Sequence, residues 1–293
     1  MSQTTPPLDY GCTPWLMSSQ KAADLYGVGV KLWRKEDLKD IEHQLSNSYT
    51  LKQFTVRRID GSTIEILNPF FQVQKPIWKP YVEFQNYWHL VNTEPLGPPE
   101  TYLCSYLIEW INETEESFSR ELITKPLKVF DYKTALWRNS EACQRFISLV
   151  NGLVGARTVK KVLCFGLGDV CRAVPEWIKQ DHGSWKKEMD VEEVTSRVIQ
   201  HVMALTTAEI CKGDGSVQLL TQDPDYSKAT RNILSRKGLK VVGIHGAEGF
   251  AEIDEEKIVI SPFTAAPVKQ IIADLGRPVL ILCTGPGTFN YKA

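Results

Sequence analysis

From residue 136 onward, short apolar runs alternate with longer amphipathic stretches. The apolar runs have the length of buried strands and occupy residues 162–165, 216–222, 239–246, 256–263 and 277–287. The stretches between them place apolar residues three and four positions apart, as helices do, and occupy residues 136–154, 190–212, 226–238 and 266–276. Strands that alternate with helices predict an α/β, Rossmann-like fold, with a mostly parallel five-stranded sheet and helices on both faces.

The first 135 residues lack this regular alternation. Residues 53–67 are two alternating runs joined by Asp60-Gly61, a dipeptide that accepts positive φ at both turn positions, so they predict a β-hairpin. Helices are predicted over residues 35–48 and, from a proline and a glutamate at its start, over residues 98–123. The first part of the chain is therefore predicted to be α+β.

Residues 68–91 are dense in aromatic side chains and are broken by prolines. Either these rings pack the first part of the chain onto the second, or some of them roof a ligand pocket: Trp78, Tyr81, Tyr87 and Trp88. We divide the chain into an N-terminal extension or lid, residues 1–135, and a Rossmann-like domain, residues 136–293.

Composition narrows the class of function. The chain has 293 residues, is 43% hydrophobic and has a formal net charge of −1, so no strong overall field draws it to nucleic acid or to an anionic membrane. No apolar run reaches the roughly 20 residues of a membrane span, and the start lacks the pattern of a secretory signal. The seven cysteines include no CxxC pair. We expect a soluble cytoplasmic protein without membrane partners; a nuclear location is compatible with the same features.

Acidic residues follow the predicted strands. Ligands of an open parallel sheet bind beyond the carboxyl ends of its strands, and the loops there contain Asp169, Asp223, Asp225 and Glu248. Converging carboxylates repel a phosphate and suit an ammonium group, a guanidinium group or a divalent cation. His245, close to Glu248, is a candidate for proton transfer.

Gly166 and Gly168, directly after the first predicted strand, raise the alternative of a dinucleotide site. The third glycine of that motif would stand where the chain has Cys171, and residues 174–190 separate the loop from the next predicted helix. No HxxxH or CxxC spacing supports structural zinc. We therefore expect neither a bound cofactor nor a metal site.

Four segments and one glutamine of the second half resemble the SRR-like domain family (sensitivity to red light reduced), most closely its fungal members. They are, in order, "VLCFGLGDV", Gln200 on the long helix, "LLTQDPDYSKATRNILSRKGLKVV", "GAEGFAEIDEEKIVISPF" and "PVKQIIADLGRPVLILC". The resemblance covers about residues 155–290 and implies a Rossmann-like fold. Many relatives have proline, histidine and cysteine where this chain has Ser261-Pro262-Phe263, so a haem or metal role at that loop is not expected.

Candidate site residues combine the loop chemistry with this resemblance. We assign catalysis to His245, Glu248, Asp223 and Tyr226. We assign substrate binding to Gly166, Gly168, Asp169, Gln200, Asp225 and Ser261. The competing interpretation is that Asp169 and Asp223 only cap turns and helices. His201, next to Gln200, is interpreted as a residue of the core or of the helix surface.

Two functions of different classes fit these residues. The first is a group-transfer enzyme of fungal specialised metabolism that binds a cationic, amino-acid-like small molecule. Its finer form is cyclodipeptide synthesis, by analogy with the sheet of the cyclodipeptide synthases: it joins aminoacyl groups such as arginyl that are delivered by tRNA. The tRNA backbone would meet three basic clusters, Lys160-Lys161, Lys186-Lys187 and Arg236-Lys237 with Lys240. The second is a non-catalytic regulator that acts through a protein partner, as the plant and animal members imply through light signalling and the circadian clock. We favour the enzyme.

Overall fold

A computed structural model describes residues 14–94, 97–114, 122–173, 186–212 and 215–284, and of residues 186–193 it describes the backbone alone. Within these ranges, the N-terminal half contains three α-helices, one 3-10 turn and two pairs of strands: α1 (Pro14–Gly27), α2 (Lys35–Ser46), β1 (Gln53–Arg57), β2 (Thr63–Leu67), β3 (Trp78–Phe84), α3 (Tyr87–Asn92), the 3-10 turn Pro99–Thr101 and β4 (Tyr106–Asn112). β1 pairs with β2 and β3 pairs with β4, both antiparallel. The hairpin predicted at Asp60-Gly61 is confirmed.

The helix predicted over residues 98–123 is wrong. Its middle part is β4, which pairs with β3 from Trp78↔Asn112 to Phe84↔Tyr106. Tyr106 and Ile108 are buried and alternate with more exposed neighbours, which is the period of a strand. The proline and glutamate at the start suggested a helix, but the aromatic and β-branched residues of β4 favour a paired strand. Residues 115–121 of that segment lie outside the described residues.

The second half contains the predicted parallel sheet. Its elements are α4 (Pro126–Arg138), α5 (Glu141–Val154), β5 (Lys161–Phe165), α6 (Lys186–Cys211), β6 (Gln218–Gln222), α7 (Lys228–Arg236), β7 (Lys240–Val241), α8 (Glu248–Ala251), β8 (Lys257–Ser261), α9 (Val268–Leu275) and β9 (Leu280–Cys283). The strand order is β7-β6-β5-β8-β9, and every pair is parallel. The predicted Rossmann-like fold is confirmed, with Val162–Phe165 on the central strand.

Some boundaries differ from the prediction. The third strand is only Lys240–Val241, because the chain turns away at Gly243 into the loop that follows. The single helix predicted over residues 136–154 is the end of α4 followed by α5. Ser140 separates them, and its hydroxyl accepts a hydrogen bond from the N–H of Cys143, 3.1 Å away, as the N-cap of α5.

The sheet separates two apolar cores, because successive side chains of a strand point to opposite faces. On one face, Leu163 and Phe165 share a core with α8, α9 and residues of the N-terminal half such as Trp33. On the other face, Val162 and Cys164 share a core with α4 to α7. Both faces of β5 are therefore covered, which explains why its sequence is apolar at successive positions.

Gly166, the first residue after β5, stands where the fold has no room for a side chain. Its φ is +63°, and a Cβ there would lie 2.7 Å from Thr264 Cβ and 2.8 Å from Thr264 Cα. Because one of these atoms belongs to the backbone, relief requires the loop after β8 to move. We predict that Gly166→Ala lowers the free energy of unfolding by about 3 kcal/mol, measured by chemical denaturation.

Gly238→Ala is the matched control for that substitution. Gly238 also has a positive φ, +86°, at the end of α7, but a Cβ there would meet no atom within 4 Å. Its cost is therefore the left-handed backbone alone, about 1 kcal/mol. Equal losses in the two variants would show that the contact with Thr264 does not constrain the loop.

Candidate functional site

The strand order of the sheet reverses between β5 and β8, and the loops after these two strands meet there. A crevice outside the strand ends at such a point is the usual ligand site of an open α/β sheet. The loop at Gly166 contacts Thr264, which belongs to the loop after β8. Ser261, at the end of β8, is 1% exposed, and its hydroxyl has no hydrogen-bond partner among the described residues.

Asp169 is the centre of the loop that follows β5. Its Oδ1 accepts hydrogen bonds from the N–H groups of Cys171 (2.8 Å) and Arg172 (3.0 Å) and from the hydroxyl of Thr230 (2.7 Å). Its Oδ2 accepts the N–H of Ser227, at the start of α7. The buried carboxylate therefore ties the loop to α7, and both oxygens are engaged within the chain. This geometry fits the capping interpretation better than substrate binding.

Asp223, at the carboxyl end of β6, is a partly buried carboxylate held by backbone N–H groups. Its Oδ2 accepts the N–H of Gly168 and its Oδ1 accepts the N–H of Asp225, each at 3.0 Å. Burial raises the pKa of Asp223 to about 6, and the carboxylates of Asp225 and Asp169 add to the rise, while the two N–H groups oppose it. A carboxyl group with this pKa can both give and take a proton near neutral pH.

The chain itself supplies a guanidinium group to this acidic cluster. Arg172, which is 6% exposed, donates to both the carboxylate and the backbone carbonyl of Asp225. Its Nε lies 4.0 Å from Oδ2 of Asp169. Asp169 and Asp225 are thus matched to an internal cation, and the carboxylate that remains for a ligand is Asp223.

Tyr226 lies on the face of the sheet covered by α6, in a buried network of polar groups. Its hydroxyl is 2.9 Å from His201 Nε2 and 2.7 Å from Thr221 Oγ1. His201 Nδ1 is 2.8 Å from the carbonyl of Arg197; because a carbonyl only accepts, Nδ1 carries the proton and Nε2 accepts from Tyr226. Burial lowers the pKa of His201 to about 4, so its ring is neutral at pH 7. Tyr226 is 1% exposed, so its phenol is buried and lies away from the strand edge where a ligand would bind.

The loop after β7 is held by a carboxylate from the N-terminal half. Glu42 of α2, which is 5% exposed, accepts hydrogen bonds from the N–H groups of His245 (2.8 Å), Ala247 (2.9 Å) and Glu248 (3.3 Å). His245 Nδ1 lies 2.6 Å from the carbonyl of Pro80 in β3, so it carries the proton. Burial lowers the pKa of His245. The histidine is therefore a neutral, buried contact between the two halves of the chain.

Gln222, the last residue of β6, fixes the same loop from the side of the sheet. Its Nε2 donates to the carbonyl of Gly246 (2.8 Å), and its Oε1 accepts the N–H of Gly249 (2.6 Å). A Cβ on Gly243 would lie 1.9 Å from Oε1, so the amide fills the space that a side chain would need. Gln222 and Glu42 together determine the shape of this loop.

The other predicted residues lie in different surroundings. Glu248 is exposed, with Oε2 3.4 Å from the N of Gly243, and Gln200 is partly buried on α6. Seven of the ten predicted residues thus form two groups, which adjoin where Pro224 faces Gly246. Tyr226, Gln200 and Ser261 belong to neither group. Around the loops after β5 and β6 lie Gly166, Gly168, Asp169, Asp223 and Asp225; on the loop after β7 lie His245 and Glu248.

The aromatic residues expected to roof the site are spread apart. Tyr81 lies beside it: burial raises its pKa to about 12, and nearby carboxylates, among them Asp225, add to the rise. Trp78 and Trp88 are 38% and 51% exposed. Tyr87 packs against a tyrosine of α1, with 4.6 Å between the ring centroids. These aromatic side chains therefore lie partly in packed regions and partly on the exposed surface.

Three lysines that were assigned to a tRNA backbone form ion pairs on the surface. Lys160 lies 2.7 Å from Glu256 and Lys161 lies 2.5 Å from Glu252, while Lys237 pairs with Asp131. The side chains of Lys186 and Lys187 lie outside the described residues. Within the described ranges, no three histidine, cysteine or acidic side chains are placed to hold a metal ion, and no helix has the length and apolar character of a membrane span.

Three residues that organise the site were not predicted from sequence: Glu42, Arg172 and Gln222. His201 is buried, in agreement with its interpretation as a core residue, but its bond to Tyr226 was not predicted. Glu42 and His201 carried a usable signal, a polar residue on the apolar face of a helix: Glu42 shares its face of α2 with two core leucines and a core isoleucine, and His201 shares its face of α6 with core valines. A polar side chain at such a position is most often engaged in a specific buried hydrogen bond.

Comparison with known proteins identifies one family. The family model of the SRR1 domain matches residues 135–289, more than half of the 293 residues, and the match spans every strand of the parallel sheet and every predicted site residue. No curated protein and no solved structure matches the chain.

Glu42 gives a test of how the N-terminal half holds the loop after β7. In Glu42→Gln, the amide offers one acceptor oxygen to three N–H groups, two of them buried, and turns a donor toward the others. We predict a loss of about 2–4 kcal/mol in the free energy of unfolding, measured by chemical denaturation. Glu36→Gln, an exposed position of the same helix, should change it by less than about 0.5 kcal/mol. Similar losses in both variants would contradict this role of Glu42.

Asp223 gives a test based on pH. Because its pKa is raised in the folded chain, the folded state binds more protons than the unfolded state between about pH 4 and pH 6, and stability falls as pH rises through that window. Asp223→Asn removes this titration. We predict that from pH 4 to pH 7 the variant gains about 2–3 kcal/mol relative to the wild type, measured by chemical denaturation at each pH. If the two proteins differ in free energy of unfolding by the same amount at every pH in this range, the raised pKa is contradicted, however large that difference is.

Proposed function

This chain belongs to the SRR1 domain family, and we propose that it is a group-transfer enzyme that uses Asp223 to move a proton at the carboxyl edge of the sheet. The observation that carries the proposal is the environment of Asp223. Its carboxylate is held by the N–H groups of Gly168 and Asp225, next to the reversal of strand order, and has a pKa of about 6. General acid–base groups act best when their pKa lies near the working pH.

The substrate group that fits this carboxylate is a cationic nitrogen. Each oxygen of Asp223 already accepts one N–H, which leaves one lone pair on each oxygen for donors of a substrate. The guanidinium of Arg172 is engaged by Asp225. We propose that the group bound by Asp223 is an amino-acid-like amine.

Ser261 is the second polar group that we assign to the substrate. Its hydroxyl is buried at the end of β8 without a partner among the described residues. β8 is two strands from β6, so the backbones of Ser261 and Asp223 stand about 10 Å apart. Ser261 follows Val259 on one face of the sheet and Asp223 follows Leu219 on the other, so a small molecule that pairs with both would lie across the end of β5.

The surface charges give less support to the hypothesis that the substrate is an aminoacyl group delivered by tRNA. Lys160, Lys161 and Lys237 are held in ion pairs with acidic neighbours, which lowers their attraction to a phosphate backbone. We therefore propose a free amine substrate and treat an aminoacyl group on tRNA as a separate arm of the test.

A non-catalytic regulator is the second candidate function. It is favoured by apolar side chains that lie close in the sequence and are exposed in the N-terminal half: Val73 (41%), Ile77 (50%) and Trp78 (38%). Apolar side chains grouped on a surface mark protein contacts more often than isolated ones do.

The test compares the wild type with Asp223→Asn and Ser261→Ala. Each protein is incubated with a mixture of free amino acids and metabolite amines in one arm and with total charged tRNA in the other, and products are followed by mass spectrometry. We predict a product in the amine arm whose rate falls at least about 100-fold in Asp223→Asn, because general acid–base catalysis contributes that much. Ser261→Ala should raise KM more than it lowers kcat.

Asp131→Asn, an exposed position on α4, is the matched control and should leave the rate unchanged. No product in either arm would favour the regulator. A diketopiperazine formed only in the tRNA arm would show that the substrate is an aminoacyl group. An undiminished rate in Asp223→Asn would remove this residue from the reaction.

A further inference from the structure

Two strand edges border one cleft in the N-terminal half, far along the chain from the residues assigned to the reaction. The cleft has a volume of about 300 Å³. Its walls are residues 64–66 of β2 and residues 107–109 of β4, and the turn at residues 97–101 closes it. Because β2 pairs with β1 and β4 pairs with β3, the walls are the outer edges of two separate strand pairs.

The hydrogen bonds of the first pair show which backbone groups of β2 point into the cleft. Arg58 N bonds to Ser62 O and Asn68 N bonds to Lys52 O, so the alternation of an antiparallel pair turns the N–H and C=O of Glu65 away from β1. The opposite edge of the pair is covered: the side-chain amide of Gln44 bonds to both the N–H and the C=O of Thr55. No described side chain bonds to the N–H or the C=O of Glu65, while its carboxylate accepts a hydrogen bond from the hydroxyl of Thr55 (2.9 Å).

The second pair is arranged in the same manner. Gln85 N bonds to Ser105 O and Glu113 N bonds to Ile77 O, so the N–H and C=O of Ile108 point away from β3, toward the cleft. The far edge of this pair is also occupied, because Val82 N bonds to the carbonyl of His245. Two unpaired edges thus face each other across the cleft. Edges of this kind add further strands readily.

The side chains of the cleft alternate between apolar and acidic. Ile64 and Ile66 are partly buried against the core and Ile108 is buried within it. The carboxylates of Glu65 and Glu109, together with Glu100 of the turn, are exposed, and the residues that line the cleft include no lysine or arginine. The floor is therefore apolar and the rim is negative.

We propose that this cleft binds an extended segment of a partner protein in which basic and apolar residues alternate, inserted as a strand between β2 and β4. Backbone groups of the segment would pair with Glu65 on one side and with Ile108 on the other. Residues that point inward meet the three isoleucines. Residues of the segment that point outward lie between Glu65 and Glu109 and are cross-strand neighbours of both. At such a position a lysine or arginine is favoured and an acidic residue is disfavoured. This site is independent of the reaction proposed for Asp223.

The test uses a fluorescein-labelled hexapeptide of alternating lysine and valine, with the full chain titrated against it at low salt and binding followed by fluorescence anisotropy. We expect saturable binding that weakens as salt is added. Glu65→Gln with Glu109→Gln should weaken it at least about fivefold, since two exposed charge pairs are lost. Glu255→Gln, an exposed acid outside the cleft, is the matched control and should leave it unchanged.

Two further peptides separate strand pairing from simple charge attraction. A glutamate–valine peptide of the same length should not bind. A lysine–valine peptide with alternate backbone nitrogens methylated keeps its charge but loses its donors, and it should bind at least about tenfold more weakly. Equal binding of the methylated peptide, or no effect of the double variant at unchanged melting temperature, would overturn the proposal. Absence of binding together with a dimer that Glu65→Lys dissociates would assign the cleft to a second copy of the chain instead.

Discussion

A parallel sheet must be covered on both faces, and the arrangement of this chain follows from that requirement. One face is covered by the four helices α4 to α7. On the other face α8 and α9 have only four and eight residues, and Trp33, Phe54 and other residues of the N-terminal half complete the core. The first part of the chain is therefore packed as an integral layer of the fold.

The N-terminal layer that covers the sheet also determines the environment of His245 at one side of the sheet edge. The layer that buries Phe165 brings Glu42 and Pro80 against the loop after β7, so His245 is enclosed and neutral. On the other side, Asp169 and Asp225 are engaged by α7 and by Arg172. The sequence places several carboxylates at this edge of the sheet. Among the described residues, Asp223 is the one of them that has a raised pKa and no internal cation beside it.

The sequence predicts the sheet well because each of its strands is a local signal. An apolar run such as residues 162–165 needs burial on both faces wherever it lies, and glycines and helices bound it on either side. β4 was assigned to a helix because its state depends on pairing with β3, which lies more than twenty residues earlier in the chain. The same contrast applies to the site. The position of the acidic loops after the strands is a local signal and was predicted, whereas the role of each acid was not. Whether a carboxylate binds a ligand or caps a loop depends on partners such as Arg172 and Thr230, whose proximity arises only from the fold.

The amide of Gln222 occupies the space next to Gly243 and bonds to Gly246 and Gly249. The conformation of that loop is therefore specified by a strand residue that lies 24 to 27 positions before its hydrogen-bond partners, and by Glu42 in another part of the chain. Transplanting the loop alone into a related protein would not carry its shape along. The recipient would also need a glutamine at the end of the neighbouring strand and a carboxylate on the covering helix, so the three segments have to be exchanged as a unit.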